Sequence, residues 1–159
     1  MSAARAQKVI ISISFGTLLI ATTACAAETV PASPPDFSGC WQNELGSKME
    51  LQKPDASGTI KGNYWTAVGN VDPSTANPVL GFVSGDVLGF CVHWKPKPGK
   101  PLSIACFTGQ HTIRQGTEFI FASWLLNRDI PDAGEDAELW GANTTGANTF
   151  RLVAHASCK

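Results

Sequence analysis

The segment VLGFCVHWKPKPGKPLSIACFTGQH (87–111) decides the fold class of this chain. In its first part Phe90, Val92 and Trp94 alternate with Cys91, the period of two that places successive side chains on opposite faces of a β-strand. Its last part alternates in the same way. The Pro-rich stretch between them can continue neither a helix nor a central strand, so the segment predicts two strands joined as an antiparallel hairpin.

The rest of the chain repeats this arrangement. Eight runs rich in β-branched and aromatic residues are separated by Gly, Pro, Asn and Asp at hairpin distances. They are Gly39–Asn43, Lys48–Lys53, Thr59–Val68, Val79–Ser84, Val87–Trp94, Ser103–His111, Glu118–Leu126 and Asn148–His155. Closing such a sheet removes its edges and gives the aromatic faces one interior. We therefore predict an all-β fold, an eight-stranded antiparallel up-and-down β-barrel.

The beginning of the chain has the composition of a secretory signal peptide. Arg5 and Lys8 precede an apolar run from Val9 to Ile20, and small residues lead up to Ala27. We expect a protein that is secreted or exported to a periplasm. The predicted parts are a cleaved signal peptide over residues 1–27, a flexible Pro-rich leader over 28–37 and one barrel domain over 38–159.

Two other interpretations of this first segment are open. A membrane anchor would need about 20 apolar residues, whereas this run is shorter and is diluted by Ser, Gly and Thr. The second interpretation is a lipid-attachment signal at Cys25, but Thr22 stands where such a signal normally carries a large aliphatic residue. We expect no membrane attachment of the mature chain.

Charge argues against a nucleic-acid partner. Cleavage would remove Arg5 and Lys8, two of the 12 basic residues, and none of the 13 acidic ones, which leaves a net charge of −3. Nucleic-acid-binding domains usually carry a basic excess. The mature chain lacks it.

Four cysteines remain after the predicted cleavage, an even number that suits an oxidising compartment. Pairing the two strands of the 87–111 segment places Cys91 opposite Cys106 on the outer face. Cys40 opens the first run and Cys158 follows the last, and in an up-and-down barrel these two strands are neighbours. We predict the disulfides Cys91–Cys106 and Cys40–Cys158.

The sequence carries none of the common catalytic or phosphate-binding motifs. His93, His111 and His155 lie on separate predicted strands without metal-ligand spacing. An acidic segment at 129–138 is typical of a solvated loop. We predict neither an enzyme nor a metal or cofactor site.

Several polar side chains fall on the inner face beside large aromatic residues. They are Asn43, Ser47, Tyr64, Thr66, Ser103 and Asn148. A polar group left unpaired inside a barrel costs roughly 1–3 kcal/mol. Either these groups pair with one another and with buried water, or a ligand pairs with them, and alternation alone leaves both interpretations open.

The resemblance to a known family favours the ligand. The chain resembles the avidin and streptavidin family over nearly all of its mature length, in order and with compatible spacing. The segments that carry the resemblance are GCWQNELGS (39–47), YWTAVG (64–69), FTGQ (107–110), WLL (124–126), Trp140 and NTF (148–150).

The resemblance implies biotin as the ligand. Asn43, Ser47 and Tyr64 would donate hydrogen bonds to its ureido oxygen, and Thr66 and Asn148 would accept from its two ureido N–H groups. The aromatic walls of the site would be formed by Trp94, Phe107 and Trp124, and an aliphatic wall by Leu45, Val68 and Leu126. Ser103 and the backbone of Asn70 would contact the carboxylate. Trp140 would come from a neighbouring subunit. A Trp140 supplied by the neighbour implies a homotetramer built as a pair of dimers. A dimer is the alternative, and Trp140 could instead fold back over the mouth of its own subunit.

The chain departs from the family pattern at three positions. Ala105 stands where the pattern has a hydroxyl near the ring sulfur, Phe107 where Trp also occurs, and Asn148 where Asp also occurs. The loop at 69–78 does not align.

Two alternative functions remain. A lipocalin-like carrier of a hydrophobic ligand shares the Gly39-x-Trp41 start but generally has a longer chain with a helix after its last strand. A secreted protease inhibitor on a small barrel would act through a surface loop and would have little use for polar groups converging inside.

Overall fold

The computed structural model of the chain describes residues 35–158. The predicted signal peptide (1–27), Cys25 and the leader as far as residue 34 lie outside the described residues. Within the described part, no helix is long and apolar enough to cross a membrane.

The chain forms a closed, all-antiparallel barrel in which each strand pairs with the next and β1 also pairs with β8. The predicted fold class is therefore confirmed. The strands are β1 (Gly39–Asn43), β2 (Lys48–Leu51), β3 (Thr59–Trp65), β4 (Asn77–Ser84), β5 (Val87–Trp94), β6 (Ser103–Arg114), β7 (Thr117–Arg128) and β8 (Asn143–Val153). A short helix α1 (Glu135–Glu138) lies between β7 and β8, flanked by 3-10 turns at Asp132–Gly134 and Leu139–Ala142, and a third 3-10 turn (His155–Cys158) follows β8.

A two-residue turn at Gln115-Gly116 joins the two longest strands, β6 and β7. Both turn residues have positive φ, 51° and 75°, as in the type I′ turns whose twist matches that of a hairpin. Gly116 adopts this conformation without steric cost, and Gln115 is the one non-glycine residue of the described chain with positive φ. The turn therefore fixes the register of the β6–β7 hairpin.

Both predicted disulfides are confirmed. Cys91 pairs directly with Cys106 in the β5–β6 register, with a Cα–Cα distance of 4.0 Å. Cys40 in β1 bonds Cys158 with a Cα–Cα distance of 5.7 Å. Cys158 lies in the 3-10 turn after β8 rather than in the strand, so the chain folds back to reach Cys40.

Several strand boundaries differ from the sequence prediction. β8 begins at Asn143, so Asn148 lies in the middle of this strand instead of opening it. β3 ends at Trp65, which leaves Thr66 in the following loop. β7 continues past the predicted end at Leu126, as far as Arg128.

One end of the barrel is filled by aromatic side chains. The predicted leader ended at Phe37, but the Phe37 ring is fully buried and its carbonyl accepts a hydrogen bond from the Trp41 indole at 2.9 Å. His111 meets the rings of Phe37 and Trp41 edge-on at 5.6 and 6.2 Å. Because these rings occupy this end, a ligand would have to enter from the opposite end.

Candidate functional site

A cavity of about 250 Å³ lies inside the barrel near its other end. Thirteen of the fourteen residues singled out from the sequence line it. They are Asn43, Leu45, Ser47, Tyr64, Thr66, Val68, Asn70, Trp94, Ser103, Phe107, Trp124, Leu126 and Asn148. Side chains from strands that are distant in sequence thus converge on one space.

The β1–β2 turn fixes the orientation of the Asn43 side chain. Its Oδ1 accepts hydrogen bonds from the backbone N–H groups of Leu45 and Ser47, at 3.1 and 2.9 Å. This local bonding is a common use of Asn in turns. Since the amide oxygen is committed to the turn, the Nδ2 group faces the interior, 3.4 Å from the Tyr64 hydroxyl. Asn43 therefore presents a hydrogen-bond donor to the cavity.

The chain that follows β3 hydrogen-bonds to the hydroxyl groups of Ser47 and Thr66 in different ways, so that one remains a donor and the other an acceptor. The Ser47 oxygen accepts the Ala67 N–H at 3.0 Å, which leaves the Ser47 proton to donate elsewhere. The Thr66 hydroxyl donates to the Val68 carbonyl at 2.7 Å and accepts from the Val68 N–H at 3.2 Å. Because the Thr66 proton is already used, Thr66 can offer a ligand only an acceptor.

Tyr64 lies between aromatic rings at the inner end of the cavity. Its ring meets Trp94 edge-on at 5.3 Å and stacks near Phe107 at 6.0 Å. Burial raises the pKa of the Tyr64 phenol far above its usual value; the Ser47 hydroxyl opposes this rise and the negative charge of Glu44 adds to it. The phenol therefore keeps its proton and donates.

Glu44 determines which end of the Asn148 amide faces the cavity. The Asn148 Nδ2 group donates to Glu44 Oε1 at 2.7 Å, and the Thr149 N–H donates to Glu44 Oε2 at 2.9 Å. An ionised carboxylate only accepts hydrogen bonds, so it holds the NH₂ end and leaves the amide oxygen for the other side. Asn148 is buried and lines the cavity, where it presents an acceptor.

The walls around these polar groups are aromatic. Trp94 and Phe107 are both buried, and Phe90 stacks on Phe107 with ring centroids 4.8 Å apart. Trp124 faces Gly146 across the β7–β8 register, and a Cβ atom at Gly146 would overlap the Trp124 ring. The position of Trp124 therefore requires glycine at 146.

Trp140 is the one predicted site residue that does not line the cavity of its own chain. It lies in the 3-10 turn Leu139–Ala142 and is 90% exposed. The barrel exterior is also partly apolar, because Leu80 and Leu125 lie at the two ends of an outward-facing row that crosses β4 to β7 through the Cys91–Cys106 disulfide.

Sequence reasoning missed several residues around the cavity. Val71, Pro96, Pro101 and Arg128 line its mouth, and Glu44 acts from outside through Asn148. Arg128 could have been found from the sequence, because the period of two that places Trp124 and Leu126 on one face of the seventh run also places residue 128 there. Ending the strand at Leu126 hid this position.

The histidines do not form a metal site in the described part of the chain. Among residues 35–158 no group of three or more His, Cys, Asp or Glu side chains is placed to hold a metal ion. His111 is buried and pairs with Glu118 at 2.9 Å, and His155 pairs with Glu50 at 3.3 Å.

Comparisons with known proteins agree with this geometry. The sequence model described as "Avidin family" matches residues 31–153. Avidin-related protein 4/5 of Gallus gallus is 34% identical over 139 residues, covering 84% of this chain and 88% of that protein. Avidin of Gallus gallus is 31% identical with the same coverage.

Solved structures are similar over most of the barrel. The structure titled "X-ray structure of biotin binding protein from chicken" has a TM-score of 0.63 and 31% identity, and the match covers 74% of this chain and 98% of that one. A short afifavidin–biotin complex has a TM-score of 0.59 and 25% identity, covering 76% of this chain and 91% of that one. On the family match and the barrel together, this chain belongs to the avidin family.

Proposed function

We propose that this protein binds biotin non-covalently inside the barrel. The observation that carries the proposal is the polarity of the five groups at the inner end of the cavity. Asn43, Ser47 and Tyr64 present donors, whereas Thr66 and Asn148 present acceptors. A cyclic urea needs this set, because its carbonyl oxygen accepts and its two flanking N–H groups donate.

The same arrangement explains why such binding would be tight. Three donors on one oxygen favour the charge-separated form of the urea, as preorganised donors stabilise an oxyanion. Burial among Trp94, Phe107 and Trp124 excludes water and strengthens these hydrogen bonds. The chicken biotin-binding protein and the afifavidin–biotin complex support biotin as the ligand.

The proposed activity is binding, with no bond made or broken and no cofactor. The mature chain would act outside the cytoplasm, after removal of the segment at 1–27. Two disulfides among the described residues support an oxidising compartment.

We propose further that the protein assembles as a homotetramer in which Trp140 of each chain closes the cavity of a neighbour. A tryptophan that is 90% exposed and lies outside its own cavity supports this arrangement. The outward row from Leu80 to Leu125 offers a second surface for burial against another copy. A two-fold interface in which each chain gives and receives one Trp140 would form a dimer, and a second interface at the outward row would join two such dimers into the tetramer.

Titration of the mature protein with biotin tests the proposed function. We expect saturation at one biotin per chain, followed by calorimetry and by tryptophan fluorescence, since Trp94 and Trp124 line the cavity. 2-Iminobiotin at neutral pH is the matched control, because its protonated guanidinium offers no acceptor to the three donors. Biotin that fails to bind, or that binds no better than 2-iminobiotin, would contradict the proposal and favour a carrier of another hydrophobic ligand.

A further inference from the structure

Among residues 35–158, Arg128 is the one cationic residue that lines the cavity. It is the last residue of β7, and its Cα pairs with that of Ser103 at the start of β6. By strand alternation it follows Trp124 and Leu126 on the inner face. The inner face of β7 therefore changes from aromatic to aliphatic to cationic as it approaches the mouth.

The structure positions this guanidinium but leaves most of its donors unused. Arg128 Nη2 donates to the Gly141 carbonyl at 2.9 Å. Neither of the two ion pairs formed within residues 35–158 involves Arg128. Guanidinium carries five N–H donors in a planar fork that suits a carboxylate. One bond to a carbonyl fixes the group and leaves donors for a ligand.

The mouth around Arg128 is built from connections that bond to one another. The Lys97 N–H donates to the Asn70 carbonyl at 2.9 Å, and Val71 forms a β-bridge with Pro96. The Asp129 N–H donates to the Leu102 carbonyl at 2.8 Å, which continues the β6–β7 pairing beyond Arg128. These bonds hold the mouth in place without a ligand.

The charges near the mouth are of both signs. Lys95, Lys97 and Lys100 lie on the β5–β6 connection. Asp129 and Glu138 line a groove next to the cavity that Arg128 also borders. Only Arg128 among these groups lines the cavity itself, so it is the charge that a ligand atom leaving the cavity would meet first.

We propose that Arg128 binds the terminal carboxylate of the ligand, so that the site selects a free carboxylic acid over the corresponding amide or ester. This inference rests on the proposed function, since it takes biotin to lie with its ring system at the inner end and its acid chain toward the mouth. Ser103, half-buried and paired with Arg128, adds a hydroxyl to the same subsite. The ligand class is a free acid, and conjugates joined through that acid are discriminated against.

Affinities of biotin and of biotin amide for the mature protein test the inference. We expect the wild type to prefer the acid by roughly threefold to tenfold, the range of a solvent-accessible but well-oriented ion pair. Arg128→Gln should lose this preference by binding the acid more weakly, with the amide affinity unchanged. Arg128→Lys should retain part of it. The control is Arg114→Gln, which removes an equal charge at the end of β6, at the opposite end of the barrel.

The outcomes separate this inference from the proposed function. Equal affinity of the wild type for acid and amide would overturn the role of Arg128 while leaving biotin binding intact. Equal weakening of both ligands by Arg128→Gln would also overturn it, because it would show that Arg128 only supports the segment at Gly141. Failure of both ligands to bind the wild type would overturn the proposed function and this inference together.

Discussion

Glu44 and Asn148 are 104 residues apart in sequence and are joined by a hydrogen bond of 2.7 Å between Oε1 and Nδ2. The bond connects the β1–β2 turn to the middle of β8. The Thr149 N–H adds a second hydrogen bond to the other carboxylate oxygen at 2.9 Å. Glu44 is therefore a positioning residue, because it orients the amide that lines the cavity without lining the cavity itself.

The first prediction concerns pH. Partial burial raises the pKa of Glu44, but hydrogen bonds from the Asn148 side chain and from the backbone outweigh it and leave the pKa below 4.5, its usual value. A carboxyl whose pKa is lower in the folded state stabilises the fold above its unfolded pKa, and this contribution disappears as the pH falls through the folded pKa. We expect the melting temperature to drop in acid, and Glu44→Gln to reduce that drop.

Melting curves from about pH 7 to about pH 3 measure this effect. Glu135→Gln in the exposed helix α1 is the control and should keep the wild-type pH profile. An unchanged profile for Glu44→Gln would show that ionisation of Glu44 contributes nothing to the loss of stability in acid.

The second prediction concerns the three donors. Asn43→Ala, Ser47→Ala and Tyr64→Phe should each weaken biotin binding by roughly 1–3 kcal/mol, since each leaves the ureido oxygen one donor short. The loss of binding free energy in a double variant should differ from the sum of the two single losses, because the donors polarise the same oxygen. Calorimetry or dissociation rates would measure the losses, with Ser123→Ala on the outer face of β7 as a neutral control. Unchanged affinity in all three would mean that the ligand or its orientation is wrong.

The third prediction concerns the glycine behind Trp124. Gly146→Ala should displace the Trp124 ring and weaken biotin binding, because the added methyl group overlaps that ring. Gly89→Ala is the matched control, since a Cβ atom at 89 would meet its nearest neighbour at 3.7 Å, an ordinary contact. Affinity and melting temperature should both fall for position 146 and stay near wild type for 89. Equal behaviour of the two variants would rule out a role for Gly146 in placing Trp124.

The fourth prediction concerns Trp140. Trp140→Lys should speed biotin release and loosen or reduce the oligomer, because a cap supplied by a neighbour couples assembly to binding. Light scattering after size exclusion and the biotin dissociation rate are the measurements. Leu139→Lys, also exposed and in the same 3-10 turn, is the control for charge. A Trp140→Lys tetramer that releases biotin at the wild-type rate would show that this residue caps nothing.

The fifth prediction compares the two disulfides. In the chain-entropy account the stabilisation grows with the length of chain enclosed, about 3 kcal/mol for 15 residues and about 4.7 for 100. The Cys91–Cys106 bridge spans 15 positions and the Cys40–Cys158 bridge spans 118. Replacing both cysteines of the longer bridge by Ala should therefore lower the unfolding free energy more. Denaturant titration of the two double variants decides this, and the reverse order would mean that native-state contacts dominate.

Local alternation was sufficient to predict the barrel and the polar residues of its inner face, whereas most wall residues of the cavity were predicted from the resemblance to the avidin family. Phe90, Val92 and Trp94 are buried as the period of two required, and the pairing of Cys91 with Cys106 followed from the same register. These features depend on neighbours along one strand or across one hairpin, which is the range over which a sequence pattern is informative.

The features that were missed depend on pairing between distant segments. The first half of β8 is Asn-Thr-Thr-Gly-Ala, which has weak strand character and is extended because it pairs with β7. Pairing with the start of β6, where Ser103 lies opposite Arg128, extends β7 to Arg128 and brings that residue to the mouth. Phe37 is buried because Trp41 and His111 surround it, and no pattern within the leader indicates this.

The Cys40–Cys158 bond makes residues 40–158 a covalent ring, since the two ends of the barrel domain are joined directly. One backbone cut at Gln115-Gly116 would leave two peptides joined by this disulfide into a single molecule, with all eight strands still connected in their original cyclic order. The barrel should therefore survive a protease nick at that turn as one species, and should tolerate new chain ends there. Such ends would emerge opposite the ligand's entrance, where they would leave the cavity unobstructed.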